Sequence, residues 1–232
     1  MNVSVAMATY NGEKYIKEQL DSIIIQLNSD DEVIICDDGS TDSTLNILEE
    51  YVLKDNRIKV YKNSHKGVIL NFEDAISKCS NDIIILSDQD DIWELNKVKV
   101  IKANLDNENI LLVSHNGINF SDAGVHEKLI NHMNHGVVLN IINSCYWGCC
   151  MAFKKELVIS ILPFPKGLVA HDQWIGIIAE SQKCSRFIND CLIKHRIHSC
   201  NVSKRMSLVN KVNFRYRLMK SYLTRKLLNL FK

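Results

Sequence analysis

Short apolar runs alternate with helical periodicities along the first half of the chain. Val3 to Ala8, Glu32 to Cys36, Ile58 to Tyr61, Ile83 to Leu86 and Ile110 to Ser114 are brief segments rich in β-branched residues and bounded by polar residues. That is the pattern of strands buried within a sheet. Between them Lys14 to Leu27, Ser43 to Leu53, Val68 to Cys79 and Leu95 to Leu105 read as amphipathic helices. Asp42 or Ser43 supplies a cap for the second of these. A βαβα rhythm of this kind predicts an α/β fold, a mostly parallel sheet covered by helices.

The second half is less regular. Residues 115–146 carry His115, His126, His132 and His135, several Asn and no clear period, which suggests a loop-rich region for an acceptor. Met151 to Phe153 reads as a strand, and Lys155 to Ile161 and Asp172 to Glu180 as helices. Near the C-terminus Leu208, Val212, Tyr216, Met219, Leu223, Leu227 and Leu230 form a helical stripe, with lysines and arginines over the other faces.

Charge changes the picture only locally. The net charge of +1 hides an asymmetry, because no Asp or Glu occurs from Cys191 to Lys232. A basic amphipathic helix fits the surface of an anionic membrane; packing on the domain or in a dimer interface is the other reading. No nucleic-acid module accompanies the basic stripe, so no nucleic-acid partner is expected. A hydrophobic content of 46% supports a sizeable core, and 232 residues suit one domain with an appendage. No stretch of about 20 apolar residues occurs, so no membrane span is expected. The eight cysteines contain no CxxC pair and no leader segment is evident, so reduced thiols and a cytoplasmic location are expected.

The candidate chemistry lies at the strand ends. Asp88-Gln89-Asp90-Asp91 follows the fourth strand, putting three carboxylates in four residues where open α/β sheets hold ligands. Packed like charges call for a cation, and hard oxygen donors favour Mg²⁺ or Mn²⁺ completed by phosphate oxygens. Thr9-Tyr10-Asn11-Gly12 follows the first strand and Asp37-Asp38-Gly39-Ser40 the second. Tyr10 could stack on a base, and Asp37 or Asp38 could accept a hydrogen bond from a base or ribose. Taken alone, the Asp37 segment reads equally as a turn with a helix cap, and His171-Asp172 as a cap.

Seven segments, in order, resemble the family 2 glycosyltransferases, which have the GT-A fold. They are SVAMATYNG (Ser4 to Gly12), ICDDGSTDST (Ile35 to Thr44), HKGVILNFEDAI (His65 to Ile76), LSDQDDIW (Leu86 to Trp93), WGCCMAFKK (Trp147 to Lys155), HDQW (His171 to Trp174) and HRIHSCNVS (His195 to Ser203). The resemblance is nearest to bacterial enzymes building O-antigen or capsular polysaccharide. It implies a catalytic domain over 1–203, with a nucleotide-sugar half (1–115) and an acceptor half (116–203), followed by a membrane-associating helix at 204–232. It implies that Thr9, Tyr10 and Asp38 hold the base, with Asp37 nearby, and that Gly67 and Asn71 line the same pocket. Asp88 and Asp90 match the DxD motif, Asp90 being the foremost metal ligand, and Asp91 orients it or touches the sugar. Asp172 matches the general base of inverting members, and His198 a histidine that approaches the metal or diphosphate.

The implied reaction is hexose transfer from UDP-galactose or UDP-glucose, with dTDP-L-rhamnose the second donor, to a sugar on undecaprenyl diphosphate. The enzyme would work in the cytoplasm, peripheral to the inner face of the membrane. A nucleotidyltransferase would need a basic glycine-rich loop after the first strand, which Thr9 to Gly12 lacks. A non-catalytic binding module would tolerate a damaged acidic turn or base, and both are intact. A processive synthase would need membrane spans and QxxRW, from which Gln182 to Phe187 departs.

Overall fold

A computed structural model of the chain describes residues 1–63, 67–121, 124, 127–129, 136–198 and 207–230. Its elements are β1 (Val3–Thr9), α1 (Ile16–Ile24), β2 (Glu32–Asp37), α2 (Thr44–Lys54), β3 (Ile58–Lys62), α3 (Val68–Lys78), β4 (Ile83–Ser87), β5 (Ile92–Trp93), α4 (Lys97–Leu105), β6 (Leu112–Phe120), β7 (Glu127–Leu129), α5 (Val137–Ile142), β8 (Met151–Lys154), α6 (Val158–Ile161), α7 (His171–Ser181), β9 (Ser185–Arg196) and α8 (Leu208–Leu230). The strands join in one sheet of order β3-β2-β1-β4-β8-β6-β9-β5, with β7 on β6. β1 to β4 are mutually parallel. β8 runs against both β4 and β6, so β6 and its parallel partner β9 point the same way as β1 to β4.

The continuous apolar runs make sense because both faces of the sheet are covered. Ala6, Ala8, Ile34, Cys36, Ile84 and Leu86 face a core with Phe72, Ala75 and Ile76 of α3 and Trp174 and Ile178 of α7. The alternating Val5, Met7, Val33, Ile35, Ile83 and Ile85 face a second core with Ile16 and Leu20 of α1, Leu48 of α2 and Ile101 of α4.

Every strand and helix expected in the first half is present. The second half departs from expectation in β6, β9, and the β7 strand and α5 helix that fall within the stretch read as loop. β6 runs six residues beyond Ser114, into the stretch read as loop, and β9 was not anticipated. The reason is local: His115 pairs with Ile188 and Asn116 with Cys191, so Asn189 and Asp190 are extra residues in a bulge. Bulges break the period-two signal, and His115 and Asn116 are polar residues buried in the strand. His126, His132 and His135 lie outside the described residues.

The C-terminal helix packs on the domain, one of the two readings of its sequence. Phe214 and Leu218 enter the core, with Met219 and Tyr222 packed against it. Arg217 donates to the Gly167 carbonyl at 2.8 Å, and Arg225 to the carbonyls of Ser160 (2.7 Å) and Pro163. On the other side Val209, Val212, Tyr216, Leu223 and Leu227 remain at least 50% exposed. No described helix is long and apolar enough to cross a membrane.

Leu218→Ala should cost about 2–5 kcal/mol in urea unfolding, whereas exposed Leu223→Ala should stay within about 0.5 kcal/mol. Equal losses would mean that α8 is not docked through Leu218.

Candidate functional site

Because β1, β2, β4 and β9 run in parallel, their C-terminal ends share one edge of the sheet. The loop after β1 and the loop after β2 interlock there. Asp37 is fully buried, and its Oδ1 accepts from the backbone N–H groups of Gly39 (3.0 Å) and Ser40 (2.8 Å). Its Oδ2 accepts from Ser40 Oγ (2.6 Å) and Thr9 Oγ1 (3.0 Å). The Asp37 carboxylate is thus taken up in shaping the loop. Asn71, almost fully buried, donates to the carbonyls of Cys36 (2.8 Å) and Thr9 (3.3 Å), and so ties α3 to both strand ends.

Asp38 is different. Its Oδ2 accepts from the backbone N–H of Gly67 at 2.8 Å, at the start of α3. Its Oδ1 is buried with no hydrogen-bond partner among the described residues. A buried acceptor without a donor is costly, and an incoming N–H or O–H would repay it. Gly67 has φ +113°, a conformation that favours glycine. Tyr10 beside it is 53% exposed, with its ring available for stacking.

Gln89, inside the acidic turn, fastens that turn to the loop after β1. Its Oε1 accepts from the Tyr10 N–H, and its Nε2 donates to the Tyr10 carbonyl, both at 2.9 Å. Gly12 makes room for this amide, since a Cβ there would lie 2.3 Å from Gln89 Oε1.

The three carboxylates of the turn have unequal surroundings. Burial, then the Asp91 and Asp90 charges, push Asp88 up to about 8. Asp90 is raised by burial and Asp91, against the pull of His198, whose Nε2 lies 2.7 Å from Asp90 Oδ2. Asp91 is fully buried: its Oδ1 lies 2.9 Å from His195 Nδ1 and accepts from the Arg196 N–H at 3.1 Å. Burial alone would lower His195, but Asp91 and Cys149 outweigh it and push the imidazole up to about 11.

Arg196 donates from Nε to the Asp90 carbonyl at 2.9 Å, pairs with Glu18, and lies between the rings of Tyr15 (4.5 Å) and Phe120 (4.4 Å). Lys97, also fully buried, donates to the Cys149 carbonyl at 2.8 Å over the Trp93 ring, and burial lowers it to about 8.

Asp172 lies in the first turn of α7, and its charge is felt at Asp88. His171 beside it stacks on Phe72 at 4.3 Å, and burial holds it below its ordinary value, neutral at pH 7. Gly148 allows close approach to α7, because a Cβ there would lie 3.1 Å from His171 Nε2.

The expected residues therefore gather on one edge, in two groups. Thr9, Tyr10, Asp37, Asp38, Gly67 and Asn71 form the loop cluster, while Asp88, Asp90, Asp91 and His198 form the acidic one with Asp172 within electrostatic reach. Gln89, Arg196 and Lys97 were not anticipated. Arg196 stands between two histidines already singled out, and Gln89 within the acidic motif. Lys97 carries no sequence signal beyond an ordinary helix lysine.

A hard divalent cation fits the acidic group: crowded carboxylates raised first by burial and then by one another's charge would be relieved by it, and the donors are oxygens with one imidazole.

Comparison with known proteins agrees with this geometry. The model of the family described as Glycosyl transferase family 2 matches residues 4–162. The chain is 33% identical over 196 residues to the dTDP-rhamnosyl transferase RfbG of Shigella flexneri, covering 79% of this chain and 68% of the relative. It is 25% identical over 215 residues to the UDP-Glc:alpha-D-GlcNAc-diphosphoundecaprenol beta-1,3-glucosyltransferase WfgD of Escherichia coli, covering 87% and 79%. Among solved structures, residues 1–349 of TarS from S. aureus with UDP-GlcNAc match with a TM-score of 0.76 at 23% identity, over 97% of this chain and 66% of that one. This last likeness is one of fold.

The raised Asp88 has a consequence for pH. Between its ordinary value near 4 and about 8, the folded metal-free chain keeps a proton that the unfolded chain has released. Stability in EDTA should therefore fall as pH rises from about 6 to about 8, and Asp88→Asn should flatten the fall in Tm. A Tm in the parent protein that holds or rises over that range would remove Asp88 from this role.

Proposed function

We propose a hexosyl transfer for this chain, which belongs to glycosyl transferase family 2 and is a glycosyltransferase of GT-A fold. The donor is a pyrimidine nucleoside diphosphate sugar, UDP-galactose or UDP-glucose, and the acceptor a sugar on a lipid diphosphate such as undecaprenyl diphosphate. The product is a repeat unit of O-antigen or capsule. The observation that carries this reading is the shared edge: the loop with the exposed Tyr10 ring is fastened through Gln89 to an acidic turn, and the unpartnered Asp38 oxygen lies in the loop interlocked with it.

The Tyr10 ring stacks on the base, and Asp38 Oδ1 accepts its N–H. Thr9, Asp37, Gly67 and Asn71 hold these loops in shape. Asp88, Asp90 and His198 would hold Mn²⁺ or Mg²⁺, which would supply positive charge to the leaving diphosphate. Asp91, fixed by His195 and Arg196, orients the turn toward the donor sugar. Asp172 accepts the proton of the acceptor hydroxyl, and attack from the face opposite the nucleotide inverts the anomeric carbon. An α-linked UDP-hexose then gives a β product.

One observation favours a second donor. The 33%-identical relative is named a dTDP-rhamnosyl transferase. dTDP is also a pyrimidine nucleotide, so the same groups serve, and β-linked dTDP-L-rhamnose would give an α product. The lipid diphosphate acceptor is supported by the name of the WfgD relative.

Membrane association is supported by α8. Its outer stripe of Val212, Tyr216, Leu223 and Leu227 is exposed, and Arg215, Lys220 and Lys226 lie on the same acid-free helix. An apolar stripe with flanking cations suits an anionic bilayer surface, here the inner face of the cytoplasmic membrane, where the lipid acceptor resides.

Purified protein with Mn²⁺ should add one hexose to a GlcNAc-diphosphate-lipid from one of UDP-glucose, UDP-galactose or dTDP-rhamnose. Mass spectrometry should detect the product and EDTA should abolish it. Asp90→Ala and Asp172→Asn should each lower kcat by about 10²-fold or more, and retained turnover would strike that residue from its role. Replacing Val212, Tyr216 and Leu223 together by serine should abolish binding to anionic vesicles while leaving Tm within a few degrees; undiminished binding would exclude the stripe.

A further inference from the structure

Beside the acidic turn, three side chains from separate parts of the chain converge. Asp91 closes the turn, Cys149 lies in the short turn Gly148–Cys150 before β8, and His195 lies near the end of β9. One ligand atom from each, a carboxylate oxygen, the Sγ and a ring nitrogen, fall within 4.8 Å of one another. Asp91 and Cys149 are buried, and His195 is largely so. The second carboxylate oxygen of Asp91, Oδ2, is buried and has no hydrogen-bond partner among the described residues. A second thiol is at hand, since Cys150 Sγ lies 3.9 Å from Cys149 Sγ.

We infer that Asp91, Cys149 and His195 form a site for a thiophilic divalent cation of the Zn²⁺ class, distinct from the hard-cation position at Asp90 and His198. The donor set decides the class. Mg²⁺ and Mn²⁺ prefer oxygen ligands, whereas a sulfur with an imidazole and one carboxylate is a set that Zn²⁺ and Co²⁺ take in tetrahedral geometry. Charge points the same way. Binding would displace the Cys149 thiol proton and the His195 imidazolium proton to solvent, and the thiolate, carboxylate and neutral imidazole left around the divalent ion sum to zero, the balance that a buried setting tolerates. The ion would also give Asp91 Oδ2 the partner that it lacks.

The surroundings hold the ligands in register. Lys97 Nζ donates to the Cys149 carbonyl at 2.8 Å, and the Arg196 N–H donates to Asp91 Oδ1 at 3.1 Å. Trp147 sets its ring edge-on to His195 with centroids 5.9 Å apart. Such outer contacts keep ligating groups oriented. Metal–ligand bonds of about 2.0–2.3 Å would require the three donors to close up by roughly an ångström. The fourth position falls to Cys150 or to solvent. This site does not depend on which sugar the chain transfers, or on whether it transfers one.

Co²⁺ reports on such a site directly, because a cobalt–thiolate bond absorbs in the near ultraviolet. The full chain, stripped with EDTA and held in excess Mg²⁺, would be titrated with Co²⁺. One equivalent should develop the charge-transfer band, and Zn²⁺ should bleach it. The band should weaken at least twofold in Cys149→Ser, disappear when Cys150→Ser is added to it, weaken at least tenfold in His195→Gln, and persist in Asp90→Ala. No band in the parent protein, or a full band in Cys149→Ser, would overturn the site. Circular dichroism identifies folded variants, and two independent ligand substitutions keep the test decisive if one fails to fold.

Discussion

Three carboxylates crowded at the end of β4 repel one another, and the neighbouring elements answer that repulsion. β9 runs parallel to β4 two strands beyond β8, so that His195, Arg196 and His198 arrive beside the turn. Arg196 lies between two aromatic rings and grips the Asp90 carbonyl, while His195 and His198 each take one carboxylate. Lys97 adds a cation from below. Even so, Asp88 and Asp90 remain raised, by burial first and by the neighbouring carboxylates after it. A turn held in this state gains most from a divalent ion and a diphosphate arriving together.

The nucleotide side is rigid for a different reason. Asp37 and Asn71 spend their polar atoms within the protein, and Asn11 bonds across to Ser40 and Thr41. Among the described residues, the interlock leaves one buried oxygen of Asp38 without a partner and the ring of Tyr10 exposed. Gln89 joins this frame to the acidic turn, so the proposed base recognition and charge stabilisation would share one support. A site fixed by such supporting bonds loses little on binding, which is what preorganisation means for transition-state stabilisation.

The C-terminal helix bears on the proposed base through the segment before α7. Its inner arginines hold the backbone at Ser160 to Gly167, the stretch that leads into α7 and Asp172. Its outer stripe faces away. One helix therefore braces the approach to the proposed base with one side and keeps an apolar surface with the other.

The alternating half of the fold was legible in the sequence because Val5, Ile35 and Ile85 belong to runs whose burial needs no context beyond a covered sheet. The acidic turn, the two loops before it and the stripe on α8 were legible for the same reason: residue type and spacing carry their physics locally. β9, and the length of β6, were not. Their bulge at Asn189–Asp190 destroys the period on which strand reading depends, and only pairing between distant segments restores it. The partners of each carboxylate were likewise beyond reading, because Arg196 and Cys149 meet Asp90 and Asp91 across long stretches of chain. Sequence by itself determined which groups the chain would bring to the end of a strand. Tertiary structure decided which of them were already satisfied, as at Asp37, and which were left open, as at Asp38 and Asp91, because hydrogen-bond saturation is a property of neighbours in space.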